Sequence, residues 1–271
     1  MVHGKLRHAR RGAAVIIVLG AKGFVGSAVL AELQALDECL GVDLDNYADV
    51  KGRACDVLVN VNGNSKKFLA NENPALEFDL SVQSVVHSIY DFPARRYVFV
   101  STVDVYTDFA EPAQTAEAAP IDPARQSPYG FHKWLAEQYV RKTCPEWLIT
   151  RLGGMVGPGM KKSPVYDVLH NVPLRVHLDS SYQYIHTHDV GRVIRTLLER
   201  GVTREIFNVC GRGVISLRTI QDLIGATSTM TSDAPQQYYE INNAKLAALM
   251  PIATTEEAVR RYLKEEGRLA S

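Results

Sequence analysis

The amino-acid sequence predicts an α/β protein with a doubly wound parallel sheet and a small C-terminal α/β lobe. The chain has 271 residues, of which 46% are hydrophobic and 22% are charged, so it can bury a sizeable core. Short apolar runs without alternation, typical of strands buried on both faces, are separated by segments with a helical period. Strands that alternate with helices favour parallel βαβ units. This composition and pattern exclude a disordered chain or a coiled coil as the main architecture.

The predicted elements follow one another in the order that such a sheet requires. The run AAVIIVL over 13–19 predicts the first strand, and a helix over 27–36 with a strand over 39–42 completes a βαβ unit. Further strands are predicted over 56–61, 96–100, 147–151 and 206–210, and helices over 74–90, 127–141, 190–200, 242–249 and 254–266. We predict a flexible basic tail over 1–12, a sheet domain over 13–152 and a lobe over 153–271 that is interleaved with the last strands.

A glycine-rich turn joins the first predicted strand to the first predicted helix. Gly20, Gly23 and Gly26 form a GxxGxxG pattern, which allows a tight turn and lets backbone amides approach a pyrophosphate at a helix N-terminus. Asp43 follows 23 residues after Gly20, at the end of the second strand. A carboxylate there can accept both ribose hydroxyls of an adenosine and repels a 2′-phosphate. The pattern therefore predicts a bound dinucleotide, NAD rather than NADP.

A second group of residues carries proton-transfer chemistry. Tyr129 and Lys133 are four residues apart in a predicted helix, so they share one face, where an ammonium can lower the pKa of a phenol. Thr102 follows a predicted strand and supplies a hydroxyl that can bridge a substrate oxygen and the tyrosine. His132 is expected to be a packed or surface residue rather than a base. We predict that Thr102, Tyr129 and Lys133 act together.

Charge and cysteine usage narrow the range of partners and compartments. Thirty Lys and Arg residues balance thirty Asp and Glu residues, so no net field attracts nucleic acid or an anionic membrane. The apolar run over 13–19 is far shorter than a membrane span requires. The four scattered cysteines lack a CxxC pair and favour reduced thiols in a cytoplasmic protein. No metal is expected, because the HTHD segment over 186–189 has no third cluster of ligands.

Several segments in sequence order resemble the extended branch of the short-chain dehydrogenase/reductase superfamily, specifically the NAD-dependent epimerase/dehydratase family. They are GAKGFVG, VFVSTVDVY, SPYGFHKWLAE, RLGGMVGPG, YIHTHDV and IFNVCG, over about residues 14–215. The resemblance implies a Rossmann domain and a catalytic triad. Tyr129 would be the general acid/base, Lys133 would bind the nicotinamide ribose and tune Tyr129, and Thr102 would orient the substrate oxygen.

The resemblance also implies two sets of binding residues. The cofactor would be held by Gly20, Gly23, Phe24, Val25, Gly26, Asp43, Asn62, Gly63, Tyr129 and Lys133. Asp104, Gly154 and His186 would line the substrate site. Two positions depart from the family pattern, since Gly154 stands where the family has Asn and Tyr182 where it has Arg. Tyr239 is expected to be a core or subunit contact, and Lys162 either contacts a substrate phosphate or belongs to a solvated loop.

The function implied by the resemblance is that of a sugar-nucleotide epimerase. A 4,6-dehydration is disfavoured, because Asp104 is the single acid where dehydratases carry an acidic pair after the threonine. The shortened region over 43–56, DVLVNVNGN and STVDVY together are also similar to deoxysugar 4-ketoreductases, so a reductase or dehydrogenase with the same triad remains an alternative. A non-catalytic dinucleotide-binding sensor or scaffold remains another. The resemblance further implies a homodimer that pairs through the helix containing Trp134.

Overall fold

The structure, a computed structural model, describes residues 14–36, 38–64 and 66–269. The predicted tail over 1–12 lies outside these residues. In chain order the strands are β1 (Val15–Leu19), β2 (Glu38–Val42), β3 (Cys55–Asn60), β4 (Ala94–Thr102), β5 (Glu146–Leu152), β6 (Gly154–Val156), β7 (Ser181–Tyr182), β8 (Tyr184–His186), β9 (Glu205–Val209) and β10 (Ile215–Ser216).

The helices alternate with these strands along the chain. They are α1 (Gly26–Leu33), α2 (Tyr47–Val50), α3 (Leu69–Glu72), α4 (Pro74–Phe78), α5 (Ser84–Asp91), α6 (Pro128–Thr143), α7 (Pro164–His170), α8 (Thr187–Glu199), α9 (Leu217–Ile224), α10 (Ala244–Leu249) and α11 (Thr255–Glu265). No helix within the described ranges combines the length and apolarity needed to cross a bilayer.

Within the described residues, six strands form one sheet in the order β2-β1-β3-β4-β5-β9, and every neighbouring pair is parallel. The predicted doubly wound fold is therefore confirmed. The chain passes from β1 to β2 on one side of β1 and then returns to β3 on its other side. The carboxyl ends of β1 and β3 therefore form a topological switch point. Ligands of open α/β sheets bind outside the carboxyl ends of the strands at such a point.

The apolar core has a layer on each face of the sheet. On one face, Val29 of α1 and Ile194 of α8 pack against β-branched and leucine residues of the strands. On the other, Val85 of α5 and Val140 of α6 pack against Phe99 and its neighbours. A separate cluster joins α7, α9 and α11 in the C-terminal lobe. The long segment from β5 thus builds the lobe and also returns β9 to the sheet.

The structure adds short elements that were not predicted, namely α3, α7, α9, β6, β7, β8 and β10, and it changes two predicted segments. The helix predicted over 74–90 is interrupted, because α4 and α5 are separated by a widened π-helical turn at Asp79–Gln83. The short connection between β2 and β3 contains one four-residue helix, α2, rather than a full crossover helix. The first difference bears on the candidate site, since π-turns occur frequently at functional sites.

Candidate active site

The glycine turn after β1 is held by very close backbone contacts. Gly20 has a φ of 78°, a left-handed conformation that favours glycine. A Cβ atom on Gly26 would lie 1.9 Å from the Gly20 carbonyl oxygen, so no side chain fits there without a backbone shift. The N–H of Gly23 donates to the same carbonyl at 3.0 Å. The turn therefore brings its backbone against the start of α1, as a pyrophosphate cradle requires.

The acidic residue predicted to bind adenosine lies directly beside this turn. Both carboxylate oxygens of Asp43 accept the backbone N–H of Lys22, at 3.0 and 3.2 Å. The Lys22 ammonium forms an ion pair with Asp45 at the exposed rim. The pKa of Lys22 is raised and that of Asp45 is lowered, in each case chiefly by this hydrogen bond. Asp43 thus lies directly after β2 and beside the glycine turn, and its contact with adenosine stays a prediction.

The loop after β3 lies between the glycine turn and α6, which contains Tyr129 and Lys133. The backbone nitrogen of Asn62 lies 3.0 Å from the position that a Cβ atom of Gly20 would take. One residue further, the Nζ atom of Lys133 lies 3.5 Å from the equivalent position on Gly63. The structure therefore brings the glycine turn, the Asn62–Gly63 segment and Lys133 together at the switch point of the sheet.

Helix α6 begins with a capping arrangement that orients the candidate catalytic residues. The Ser127 hydroxyl accepts the N–H of Gly130 at 3.1 Å, and Pro128 occupies the first turn. A Cβ atom on Gly130 would lie 2.1 Å from the carbonyl oxygen of Asp104, so the helix end packs tightly on the segment after β4. This contact places Tyr129 beside the residues that follow Thr102.

Lys133 is buried, with 4% of its surface exposed. Its ammonium donates to the Val100 carbonyl at 3.5 Å and lies 4.7 Å from the centre of the Phe99 ring. Burial lowers the pKa of Lys133 to about 8, against the opposing effect of the carboxylates of Glu137 and Glu77. The ammonium is therefore close to its titration range near neutral pH.

The Tyr129 hydroxyl donates to the main-chain carbonyl of Asn64 at 3.1 Å. Burial raises the pKa of Tyr129, and the negative charges of Asp104 and Glu77 raise it further. The predicted lowering of this pKa by Lys133 is not among these effects, and the tuning of Tyr129 by Lys133 stays a prediction. The phenol faces a carbonyl and two carboxylates, so its protonated form is favoured.

Thr102 and Asp104 form a closed unit at the end of β4. The Thr102 hydroxyl donates to the Asp104 carboxylate at 2.8 Å and accepts the Asp104 N–H at 3.1 Å. The other carboxylate oxygen of Asp104 pairs with the Lys67 ammonium at 2.6 Å. Asp104 is buried, whereas the Lys67 side chain is 60% exposed, so the lysine reaches in from the protein surface.

Tyr129, Asp104 and Lys67 line a cleft of about 500 Å³, a volume typical of small-molecule sites, whereas Thr102 and Lys133 lie behind its lining. Its aromatic wall is formed by Phe109 and Tyr239, whose rings stack with centres 4.3 Å apart. Two cationic side chains, Lys67 and Arg125, also line it. The complete lining is Lys67, Phe68, Asn71, Asp104, Tyr106, Thr107, Phe109, Arg125, Gln126, Ser127, Pro128, Tyr129 and Tyr239. Tyr239, expected in the core or at a subunit contact, thus lines the cleft.

Comparison with known proteins agrees with this architecture. The model of the NAD dependent epimerase/dehydratase family matches residues 16–210. The chain belongs to this family. The resemblance read from the sequence is therefore confirmed, and so is the prediction of an enzyme. A search of curated proteins finds no match.

Solved structures related to this family member share the fold over nearly the whole chain. A dTDP-4-dehydrorhamnose reductase from Clostridium acetobutylicum is 18% identical, with a TM-score of 0.76, over 93% of this chain and 99% of that one. A UDP-glucose 4-epimerase from Thermus thermophilus in complex with NAD is 17% identical, with a TM-score of 0.74, over 92% and 98%. The protein RMD from Pseudomonas aeruginosa, complexed with NADPH, is 19% identical, with a TM-score of 0.74, over 93% and 99%.

The epimerase/dehydratase-family chain has a site that fits a nicotinamide dinucleotide. The cradle at Gly20 and Gly26, which a Cβ atom would fill, matches the phosphate-binding backbone of such folds. Asp43 lies beside the glycine turn and Lys133 lies beside Gly63, and the contacts of both residues with the cofactor stay predictions. The family confirms the prediction of a nicotinamide dinucleotide; the preference for NAD over NADP stays a prediction.

Two residues predicted to line the substrate site lie elsewhere in this family member. His186 is buried, and its Nε2 atom is 2.8 Å from the Glu265 carboxylate of α11. Gly154 packs against the backbone of Gln183 and the Tyr184 ring. Neither lines the cleft, so their contact with substrate stays a prediction. Among the described residues, no group of three or more His, Cys, Asp or Glu side chains is placed to hold a metal ion.

Proposed function

We propose that this protein is a NAD-dependent sugar-nucleotide epimerase that uses Thr102, Tyr129 and Lys133 at a sugar hydroxyl or keto carbon. The observation that carries the proposal is the position of Tyr129 and Lys133. We call the glycine turn with Asp43 and the Asn62–Gly63 segment the dinucleotide edge. Tyr129 and Lys133 lie between this edge and the cleft, because Tyr129 lines the cleft and Lys133 lies beside Gly63. The bound dinucleotide would accept a hydride from the sugar carbon and return it.

The residues of this chain would move the accompanying proton. Tyr129 takes the hydroxyl proton when the sugar carbon is oxidised and returns it to the oxygen when the keto sugar is reduced. Thr102 orients that oxygen through its hydroxyl. Lys133, buried and cationic below its pKa of about 8, holds the nicotinamide ribose and stabilises the phenolate form of Tyr129.

The lining of the cleft favours a substrate that has an aromatic group and a negatively charged group. The stacked pair Phe109 and Tyr239 offers a flat apolar wall, and Lys67 and Arg125 offer positive charge. Related structures include proteins named as acting on UDP- and dTDP-sugars. These features support a nucleotide sugar as the substrate class.

A keto-sugar reductase is the second candidate, and a specific observation favours it. Burial and two neighbouring carboxylates raise the pKa of Tyr129, which favours the protonated phenol that donates during reduction over the phenolate that accepts a proton during oxidation. Cofactor retention separates the two candidates. An epimerase that recycles its cofactor within each turnover keeps a dinucleotide through purification, whereas a reductase exchanges it; mass spectrometry of the denatured protein identifies any dinucleotide and its redox state.

Tyr129→Phe tests the catalytic assignment. We expect turnover of UDP- or dTDP-sugars to fall by about 100- to 10,000-fold, the usual contribution of a proton-transfer group. The dissociation constant for NAD should change by less than about threefold, because Tyr129 contributes one hydroxyl to binding. Steady-state kinetics and fluorescence titration measure the two quantities.

Tyr139→Phe is the matched control, since Tyr139 lies on the same helix and pairs with Tyr90 at the surface. It should retain turnover within about twofold, as surface substitutions generally do. Wild-type turnover in Tyr129→Phe contradicts the catalytic assignment. Tight dinucleotide binding without any turnover in the wild type supports the sensor alternative instead.

A further inference from the structure

The charged side chains that line the cleft, among the described residues, are Lys67, Asp104 and Arg125. Both carboxylate oxygens of Asp104 are occupied, because one accepts the Thr102 hydroxyl at 2.8 Å and the other pairs with the Lys67 ammonium at 2.6 Å. Lys67 and Asp104 therefore neutralise each other inside the cleft. The charge of the lining that stays uncompensated is that of Arg125.

Arg125 has no partner of opposite charge in the part of the chain that the structure describes. Its guanidinium takes part in no ion pair or side-chain hydrogen bond with these residues. Arg151 shows the contrast, because its guanidinium is buried and pairs with the Glu137 carboxylate at 2.7 Å. The donors of Arg125 are exposed instead, so they are open to a ligand in the cleft.

The backbone that bears Arg125 is fixed on both sides. Asp122 caps the 3₁₀ turn that ends at Arg125, since its carboxylate accepts a backbone N–H of the turn at 3.1 Å. On the other side, the Gln126 side-chain amide donates to the Val105 carbonyl at 2.6 Å, and α6 begins two residues further on. The guanidinium thus lies four residues before Tyr129 on an ordered backbone, which lowers the entropic cost of binding a ligand there.

The aromatic wall of the cleft is uncharged. The rings of Phe109 and Tyr239 stack, and the ring of Tyr182 lies 5.5 Å from that of Tyr239. The Tyr182 hydroxyl donates to the Gln237 side chain at 2.9 Å. The cleft thus combines an aromatic surface with one unpaired cation from a different segment of the chain. A ligand with an aromatic group and an anionic group can satisfy both.

We propose that Arg125 is a specificity-determining residue, whose guanidinium binds an oxyanion of the substrate, a phosphate or a carboxylate, through paired hydrogen bonds. This role rests on the proposed function, because it concerns the nucleotide sugar that would occupy the cleft. A planar guanidinium presents its donors as a fork that matches two oxygens of one group, whereas an ammonium acts as a point charge. Lys67 is engaged with Asp104, so it neutralises that carboxylate rather than selecting the ligand.

A nucleotide sugar offers two sources of such an oxyanion. One is the diphosphate, which every UDP-sugar carries. The other is a carboxylate on the sugar ring, which UDP-glucuronate carries and UDP-glucose lacks. Both groups present two oxygens to a guanidinium fork. The two sources predict different responses to the loss of Arg125, so ligand binding distinguishes them.

The test is the equilibrium binding of uridine, UDP, UDP-glucose and UDP-glucuronate to the wild type and to Arg125→Gln, each saturated with NAD. Isothermal titration calorimetry measures Kd, with uridine determined by competition against UDP. If Arg125 binds the diphosphate, the affinity of all three phosphorylated ligands should fall by about 10- to 100-fold, because hydrogen bonds to a charged group are lost. If Arg125 binds a sugar carboxylate, UDP-glucuronate alone should lose that factor. Uridine should change by less than about twofold in both cases.

Arg125→Lys and Arg200→Gln are the control variants, and circular dichroism establishes that each variant is folded. Arg125→Lys keeps the charge without the fork, so its affinity should lie between those of the wild type and Arg125→Gln. Arg200→Gln removes the same charge at an exposed position directly after α8, outside the cleft lining. It should leave Kd for all four ligands within about twofold.

Equal binding of UDP and UDP-glucuronate by the wild type and Arg125→Gln overturns this role of Arg125 and leaves the proposed function standing. An equal loss for uridine and UDP overturns it too, because the effect would not follow the oxyanion. Full affinity in Arg125→Lys overturns the paired hydrogen bonds. A wild type that binds none of the four ligands overturns the proposed substrate class together with this role. Binding of UDP that depends on Arg125, without any turnover, supports the role and overturns the proposed catalysis.

Discussion

The dinucleotide edge and the cleft are built from different kinds of chemical group, although they approach each other where Tyr129 lines the cleft and Lys133 lies beside Gly63. The dinucleotide edge is built mainly from the continuous segment β1–α1–β2. Its shape is set by backbone atoms of the glycine turn, and Asp43 contributes one side chain. The cleft collects side chains from four separate segments, among them Lys67, Tyr129 and Tyr239. We therefore expect substitutions at the edge to alter cofactor binding through backbone geometry, and substitutions in the cleft to alter turnover through charge.

Among the substitutions at the dinucleotide edge, Gly26→Ala should lower NAD affinity the most. The new Cβ atom would lie 1.9 Å from the Gly20 carbonyl oxygen, and a backbone atom cannot be displaced cheaply. We expect NAD affinity to fall by about 100-fold, equivalent to about 2.7 kcal/mol. Isothermal titration calorimetry measures this change.

Gly23→Ala is the graded control, because its Cβ atom would lie 3.1 Å from the same oxygen and requires a shift of a few tenths of an ångström. Its affinity loss should stay below about tenfold. Equal losses in the two variants would contradict the backbone-contact explanation. A loss of turnover in Gly26→Ala at saturating NAD would show that the edge and the cleft are not separable in this way.

The difference between the two regions also explains what the sequence could predict. The succession of strands and helices along the chain and the glycine turn follow from local signals, because hydrophobic period and glycine spacing lie within about thirty residues. The π-turn at Asp79–Gln83 was missed, since a helical period over 74–90 carries no sign of one extra residue in the turn. The short β2–β3 connection was anticipated from its length alone.

Side chains that the fold brings in from a distance were the weakest part of the sequence-based site. Lys67 was not singled out, because its partner Asp104 is 37 residues away and no motif links them. Glu77 was overlooked for the same reason, since its contact with His132 spans 55 residues. The Phe109–Tyr239 stack joins residues from opposite halves of the chain. The one signal in the sequence for the Glu77–Ser81 contact was their four-residue spacing, which places both residues on one face of a helix.

Asp43→Ala tests whether the one side chain of the dinucleotide edge decides the choice between NAD and NADP. Removing the carboxylate should lower the preference for NAD over NADP by about tenfold, because ribose hydrogen bonds to a charged group are lost. Lys22→Ala is the control, since Lys22 pairs with Asp45 at the rim, and it should change NAD affinity by less than about twofold. A wild type that prefers NADP would show that Asp43 does not decide cofactor choice.

Lys67→Met, a substitution in the cleft, should change KM for the substrate by the smallest factor among these predictions. Its ammonium neutralises Asp104 at 2.6 Å, and Asp104 in turn holds the Thr102 hydroxyl. Loss of this cation leaves an uncompensated carboxylate facing the substrate, so KM for a sugar nucleotide should rise by about fivefold, while NAD affinity stays unchanged. Lys66→Met removes the same charge one residue earlier, outside the cleft lining, and should change KM by less than about twofold. Because the Lys67 effect is electrostatic, it should shrink at high salt; a KM increase that is equal in both variants, or insensitive to salt, would assign it to the loop rather than to the ion pair.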